Sequence, residues 1–184
     1  MTEQQPYALL RTEGAVEVRR YPEHLVAETE VVADFQDAGS RAFRYLFGYI
    51  TGHNTARQSI AMTAPVVQAR SQRIAMTAPV VQTGSDGRYT VAFVLPSSLD
   101  EASAPLPLRS EVSLRTVPAR LVAAGRFTGR WSESAYEKHR DEFLSAVTDA
   151  GLTAIGEPWF ARFNPPSTPW FLRHNEVLIE VAEA

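Results

Sequence analysis

The chain has no cysteine. That absence removes disulfides, thiolate nucleophiles, zinc–thiolate centres, iron–sulfur clusters and thioether-linked cofactors in one step. Histidine is scarce: His24, His53, His139 and His174 are all there are, and no two have the i, i+4 spacing by which one helix face grips a metal. Also missing are a nucleophile elbow, a glycine loop that cradles phosphate before a helix, and an evident pair of working carboxylates, so no enzyme is expected. No apolar run approaches a membrane span, and the opening Met1-Thr2-Glu3-Gln4-Gln5-Pro6 lacks a basic n-region and an apolar h-region. A cytoplasmic protein with no membrane partner is expected. Its 18 basic residues against 21 acidic ones give a net charge of -3 and are scattered singly, which offers a nucleic-acid backbone nothing to lie along. Nothing in the sequence sets an oligomeric state.

What the chain does have is an ordinary globular balance over 184 residues, 45% apolar and 21% charged, enough for one domain with its own core. It also has an internal repeat. Val16 to Ala27 lies without a gap on Val112 to Ala123 at an offset of 96, with Val16/Val112, Arg19/Arg115, Pro22/Pro118, Leu25/Leu121, Val26/Val122 and Ala27/Ala123 identical. In each copy an alternating strand meets a proline, which lacks the ladder N–H and marks a boundary, and a second strand follows. Helical spacing then runs from Phe35 to Gly52 in the first half and from Ser134 to Ala150 in the second. Ser134 with Glu137 reads as a capping box, and Gly52 and Gly151 as helix stops. Further strands are expected at 59–68, 73–82 and 88–95, then at 157–163 and 175–182, with the proline-rich stretch 97–109 joining halves of about 7–96 and 108–182. The pattern predicts an α+β domain of two ββαββ units, in which antiparallel strands curve around and helices cover one side.

A second repeat is shorter and closer. Ile-Ala-Met-Thr-Ala-Pro-Val-Val-Gln stands at 60–68 and again, letter for letter, at 74–82. A hairpin is the natural reading, with each proline at an edge or a bulge. A bulge would turn Met62 and Met76 toward a cavity; methionines that only fill the core are the plainer alternative.

These paired Met-Thr-Ala-Pro-Val elements, with Glu17-Val18-Arg19-Arg20-Tyr21-Pro22, the segment Phe127 to Ser132, the run Asn164 to Trp170 and Asn175-Glu176-Val177, resemble the SOUL heme-binding protein family. The likeness runs from about Tyr7 to Val181. It implies a distorted antiparallel β-barrel of two pseudo-symmetric ββαββ halves with two packed helices, similar to bacterial effector-binding domains, and non-covalent binding of heme or another tetrapyrrole in an apolar groove beside the first helix, with basic residues at the rim. Some family members carry a histidine just before the tyrosine of the first motif; Arg20 stands there in this chain, so axial ligation does not carry over.

The helix itself supports a groove. Phe35, Ala38, Ala42, Leu46 and Tyr49 make one stripe, and Phe43, Phe47 and Ile50 widen it beyond what packing on one sheet needs. The surplus, chiefly Phe43 and Phe47, awaits a ligand or extra core. Arg41, Arg44 and Arg57 lie on or just past this helix, where a guanidinium reaches a carboxylate of the ligand or simply faces solvent. His139 falls within the apolar stripe of the second helix and is the foremost candidate for an axial iron ligand, a core histidine being the alternative, while Tyr21, Tyr45 and Met62 remain as weak ones that spacing does not favour. Glu176 is the carboxylate that stands out, placed either to meet a cationic ligand or to pair with a surface arginine such as Arg173.

Overall fold

The computed structural model describes residues 3–56, 59–60, 63–64, 66–70, 87–164 and 167–182. In chain order the elements are β1 (Glu3–Gln4), β2 (Ala8–Glu13), β3 (Val16–Tyr21), β4 (His24–Val32), α1 (Phe35–Ile50), β5 (Thr63–Ala64), β6 (Val66–Arg70), β7 (Arg88–Val94), β8 (Ser113–Val117), β9 (Arg120–Phe127), α2 (Glu133–Asp149), β10 (Ala154–Arg162), a 3₁₀ turn (Trp170–Leu172) and β11 (Asn175–Val181). The expected strand at 73–82 lies outside the described residues, and with it the second copy of the short repeat.

Nine strands form one antiparallel sheet in the order β2-β3-β9-β11-β10-β6-β7-β4-β8, and β1 pairs with β5 in a separate parallel pair. The connections force this sheet to bend. β3 and β4 are near its opposite ends, yet only Pro22 and Glu23 join them; Pro118 and Ala119 join β8 to β9 in the same way. Two residues reach about 7 Å, so the sheet curls until these ends meet. Its inner face then closes on a small recess, to which β3, β4 and every strand from β6 to β11 contribute, among them Tyr21, Val26, Val94, Val122 and Leu178. The ladder is nevertheless open among the described residues, with β2 and β8 as its edges.

The two strand–proline–strand units, β3–β4 and β8–β9, interlock in matching register. Glu17 stands opposite Ala124, and Ser113, its counterpart 96 residues on, stands opposite Glu28. Arg20 opposite Leu121 and Thr116 opposite Leu25 repeat the exchange.

Strand alternation sends one set of side chains inward and the other outward to the helices. Leu25, Ala27, Phe93, Phe127, Phe160, Val177 and Ile179 face outward into the main core, with Phe35, Leu46, Tyr49, Phe143 and Val147 from the helices. α1 packs against β4 and β7, whereas α2 packs against β10, β11, β9 and β3. The first turn of α2 is capped by Ser132, whose hydroxyl accepts from the Ala135 N–H at 3.3 Å. Ser134 is thus already inside the helix, and in place of the expected capping box stands a simple N-cap two residues earlier, because Ser132 holds the extended backbone that a cap needs and Ala135 follows at the third helical position. Gly151 ends α2 at φ 69°, a left-handed conformation natural only to glycine. Among the described residues no helix is long and apolar enough to cross a membrane.

Candidate functional site

The five residues of the first helical stripe are buried against the sheet, and Ile50 joins them at 3% exposure. Phe43 and Phe47 do not join them. They remain 37% and 45% exposed and stack on each other, with ring centres 5.1 Å apart and planes 16° from parallel. Phe43 also meets Phe93 of β7 edge-on at 5.7 Å, which anchors the pair to the core. Two stacked, half-open aromatic rings on a rigid helix make a flat apolar shelf.

The expected basic rim is less uniform. Arg44 is exposed and lies 60° around the helix from Phe47 at 100° per residue. Arg41 points elsewhere: its Nη1 donates to the Val32 carbonyl at 3.0 Å, on the side away from Phe43. Arg57, Met62 and Met76 lie outside the described residues.

Glu176 is on the opposite, inner face of the sheet. Leu178, two residues on, belongs to the inner cluster with Tyr21 and Val122, while Val177 and Ile179 face the helices. The carboxylate is 1% exposed and meets Arg19, itself 4% exposed, through two bonds: Nη1 to Oε2 at 2.7 Å and Nη2 to Oε1 at 2.9 Å. Its arginine partner within the chain is therefore Arg19 rather than Arg173. Nε of Arg19 donates to Glu17 at 2.8 Å and Nη1 also to the Tyr21 hydroxyl at 3.1 Å. His174 stacks on Phe163 at 4.1 Å and puts Nε2 2.8 Å from Glu176 Oε1. Burial works against both charged groups, but their mutual bonds outweigh it. Arg19 is held above its ordinary range, and Glu176, bonded by His174 and Arg19, below its own.

His139 does not reach the shelf. Its ring stacks on Phe127 of β9 at 4.3 Å and its Nδ1 lies 3.4 Å from Glu142, on the flank of α2 turned away from α1. His53 is packed over Gly48, 100° around α1 from Phe47. Among the described residues no cluster of three metal-binding side chains exists. The shelf is thus an aromatic, apolar surface suited to packing against a planar group, and His139 makes its contacts elsewhere.

Two arginines escaped sequence reasoning. Arg19 carries the inner network just described. Arg162, on the helix side of β10, is 8% exposed and lies against the rings of Trp131, Phe160 and Phe35 at 4.9, 5.0 and 5.9 Å. One bond, Nη2 to Gln68 Oε1 at 2.7 Å, is its whole set of polar contacts among the described residues, and Nε has no partner there. Burial and then the charge of Arg173 bring its pKa down to about 10. Nearby, Phe35, Gln68, Tyr89, Tyr136 and Arg140 line a recess between the helices. That recess of ≈ 70 Å³ and the inner one of ≈ 50 Å³ each admit water-sized guests.

The fold and this shelf define a class: a small α+β protein whose two helices ride on one curled antiparallel sheet and leave an apolar surface beside the first. Solved structures share the fold. The C-terminal domain of EcmrR superposes with a TM-score of 0.67 at 9% identity, over 92% of this chain and 98% of that one. A hydrolase encoded by lin2189 from Listeria innocua gives 0.63 at 12% identity, over 91% of each chain. Such identities show the fold alone, and the name hydrolase stays with that protein. No curated protein matches the chain significantly. The SOUL heme-binding protein pattern matches residues 2–180, and the chain belongs to that family.

Proposed function

We propose that the protein holds heme or a related tetrapyrrole non-covalently on the Phe43–Phe47 shelf, as a carrier or buffer. One observation carries the reading: two aromatic rings of α1, stacked and anchored on Phe93, stay open although the rest of the helix stripe is buried. A tetrapyrrole laid over them removes apolar area from water on both partners, and Arg44 stands beside them for a peripheral carboxylate. Family membership points to the same ligand class. The matched register of the two strand–proline–strand units supports an internal duplication as the origin of the halves.

Absorbance titration tests this. Hemin added to the purified protein shifts its Soret band and saturates near one equivalent, and metal-free protoporphyrin binds about as tightly because burial, not iron ligation, supplies the energy. Phe47→Ala and Arg44→Glu each weaken binding by about 1–3 kcal/mol while the fold survives. Wild-type affinity in both variants refutes the shelf. A protein that ignores porphyrins but binds another flat amphipathic molecule, with loss in Phe47→Ala, makes it a binding module for a different ligand.

A further inference from the structure

Arg162 is a buried cation without a counter-charge among the described residues. The other fully buried guanidinium described shows what a satisfied one looks like: Arg19 has two bonds to Glu176, one to Glu17 and one to Tyr21. Arg162 has one neutral acceptor, Gln68 Oε1, and no carboxylate within ion-pair distance among the described residues. The faces of Trp131, Phe160 and Phe35 return part of the lost hydration. They accept no hydrogen bond in the guanidinium plane, where Nε is left bare. A second cation, Arg173, lies over the same indole at 4.1 Å and adds positive potential.

The position of this cation matters more than its discomfort. A Cβ built on Gly39 would stand 2.5 Å from Arg162 Nη1, so the guanidinium tip fills a notch that α1 leaves by having no side chain there. Nη1 donates to no group among the described residues. Residues 39, 43 and 47 succeed one another at i, i+4 and i+8, so notch and shelf are one stripe of one helix, and the notch lies about 6 Å before Phe43.

We infer that Arg162 is the carboxylate-binding subsite of the Phe43–Phe47 shelf, and that the ligand is a planar molecule with an ionised carboxylate at the edge nearest Gly39. The inference rests on the shelf reading and adds to it a selectivity: acids over their esters. Nη1 meets the carboxylate first, and the aromatic walls around it keep water from weakening the pair. The exposed Arg41 and Arg44 are then secondary to an arginine on another element.

The test uses the full chain with two metal-free probes, protoporphyrin IX and its dimethyl ester, titrated by fluorescence against wild type, Arg162→Met, Gly39→Ala and Phe47→Ala, with a thermal melt of each. Wild type prefers the diacid by about tenfold or more, and Arg162→Met loses that preference while binding the ester unchanged. Gly39→Ala strengthens the helix yet fills the notch, and it too weakens the diacid selectively, which decides the matter should Arg162→Met fail to fold. Equal loss for both probes in Phe47→Ala marks the shelf. If Phe47→Ala weakens both probes while Arg162→Met and Gly39→Ala keep the acid preference, the subsite is overturned and the shelf stands. If Phe47→Ala binds both as wild type does, the shelf falls and the subsite with it.

Discussion

Replacing Glu176 by glutamine is the sharpest probe of the inner network. The side chains of Arg19 and Glu176 are 5% and 2% exposed, so the change leaves a buried guanidinium facing an amide that cannot accept at both positions. Breaking a buried pair on one side costs about 3–5 kcal/mol, because the abandoned charge keeps its desolvation penalty. For a domain of this size that is on the order of 6–20 °C in Tm, or a lower urea midpoint at unchanged slope. The same group sets an acid limb. Its carboxyl is held below the ordinary value of 4.5, against burial, by the bonds from His174 and Arg19. A depressed carboxylate contributes stability that is complete above its unfolded pKa and is lost as pH falls through the folded one. Wild type therefore loses stability progressively below about pH 4.5, and Glu176→Gln, weaker throughout, loses less over that range. Equilibrium urea unfolding from pH 7 down to pH 3 reads both effects, and Arg19→Leu/Glu176→Leu together recovers most of the loss. A cost under about 1 kcal/mol at pH 7, or an unchanged acid limb, would refute the claim that this pair is dry and mutually dependent.

Two other substitutions check separate parts of the structure. Gly125→Ala pushes a methyl into the ring of Phe143, a buried side chain with little room to give, and overpacking of this kind costs about 1–3 kcal/mol by chemical denaturation. His139→Ala leaves the ferric spectrum of the hemin complex unchanged, because the imidazole stacks on Phe127 away from α1; a shifted Soret band would instead bring α2 into the site.

The helices and the strand–proline–strand units were readable because each is written in local periodicity. Expected helices from Phe35 and Ser134 differ from α1 and α2 by at most two residues at any end. The cap of α2 was misplaced because Ser132 and Ser134 bracket Glu133 with like chemistry, and only the extended backbone at Ser132 separates them. Glu176 was readable as unusual, and pairing with a surface arginine was one of its readings, but the buried partner was not legible. Its partner, Arg19, lies 157 residues earlier, and the two meet because β3 and β11 both pair with β9. The shelf was readable as a surplus: counting apolar positions around α1 singles out Phe43, Phe47 and Ile50, and only Ile50 was absorbed by the core.

Arg162 was the harder residue, although a signal for it exists. In β10, Phe160 and Arg162 are two apart and so project to the same face, while Ala161 projects to the other. Phe160 is a core residue on the helix side, which places an arginine in phase with the core, at a position where long alternating strands ordinarily carry valine or leucine. A charge in a core phase needs a reason, and here the described residues supply three aromatic faces, an amide and a glycine notch but no acid. The missing acid is what a carboxylated ligand would bring. Replacing Gln68 by glutamate would supply it from within: the new carboxylate, paired with Arg162, should raise Tm and abolish the preference for diacid porphyrin over its ester. A Gln68→Glu protein that keeps the wild-type preference would mean that the guanidinium never faces the ligand.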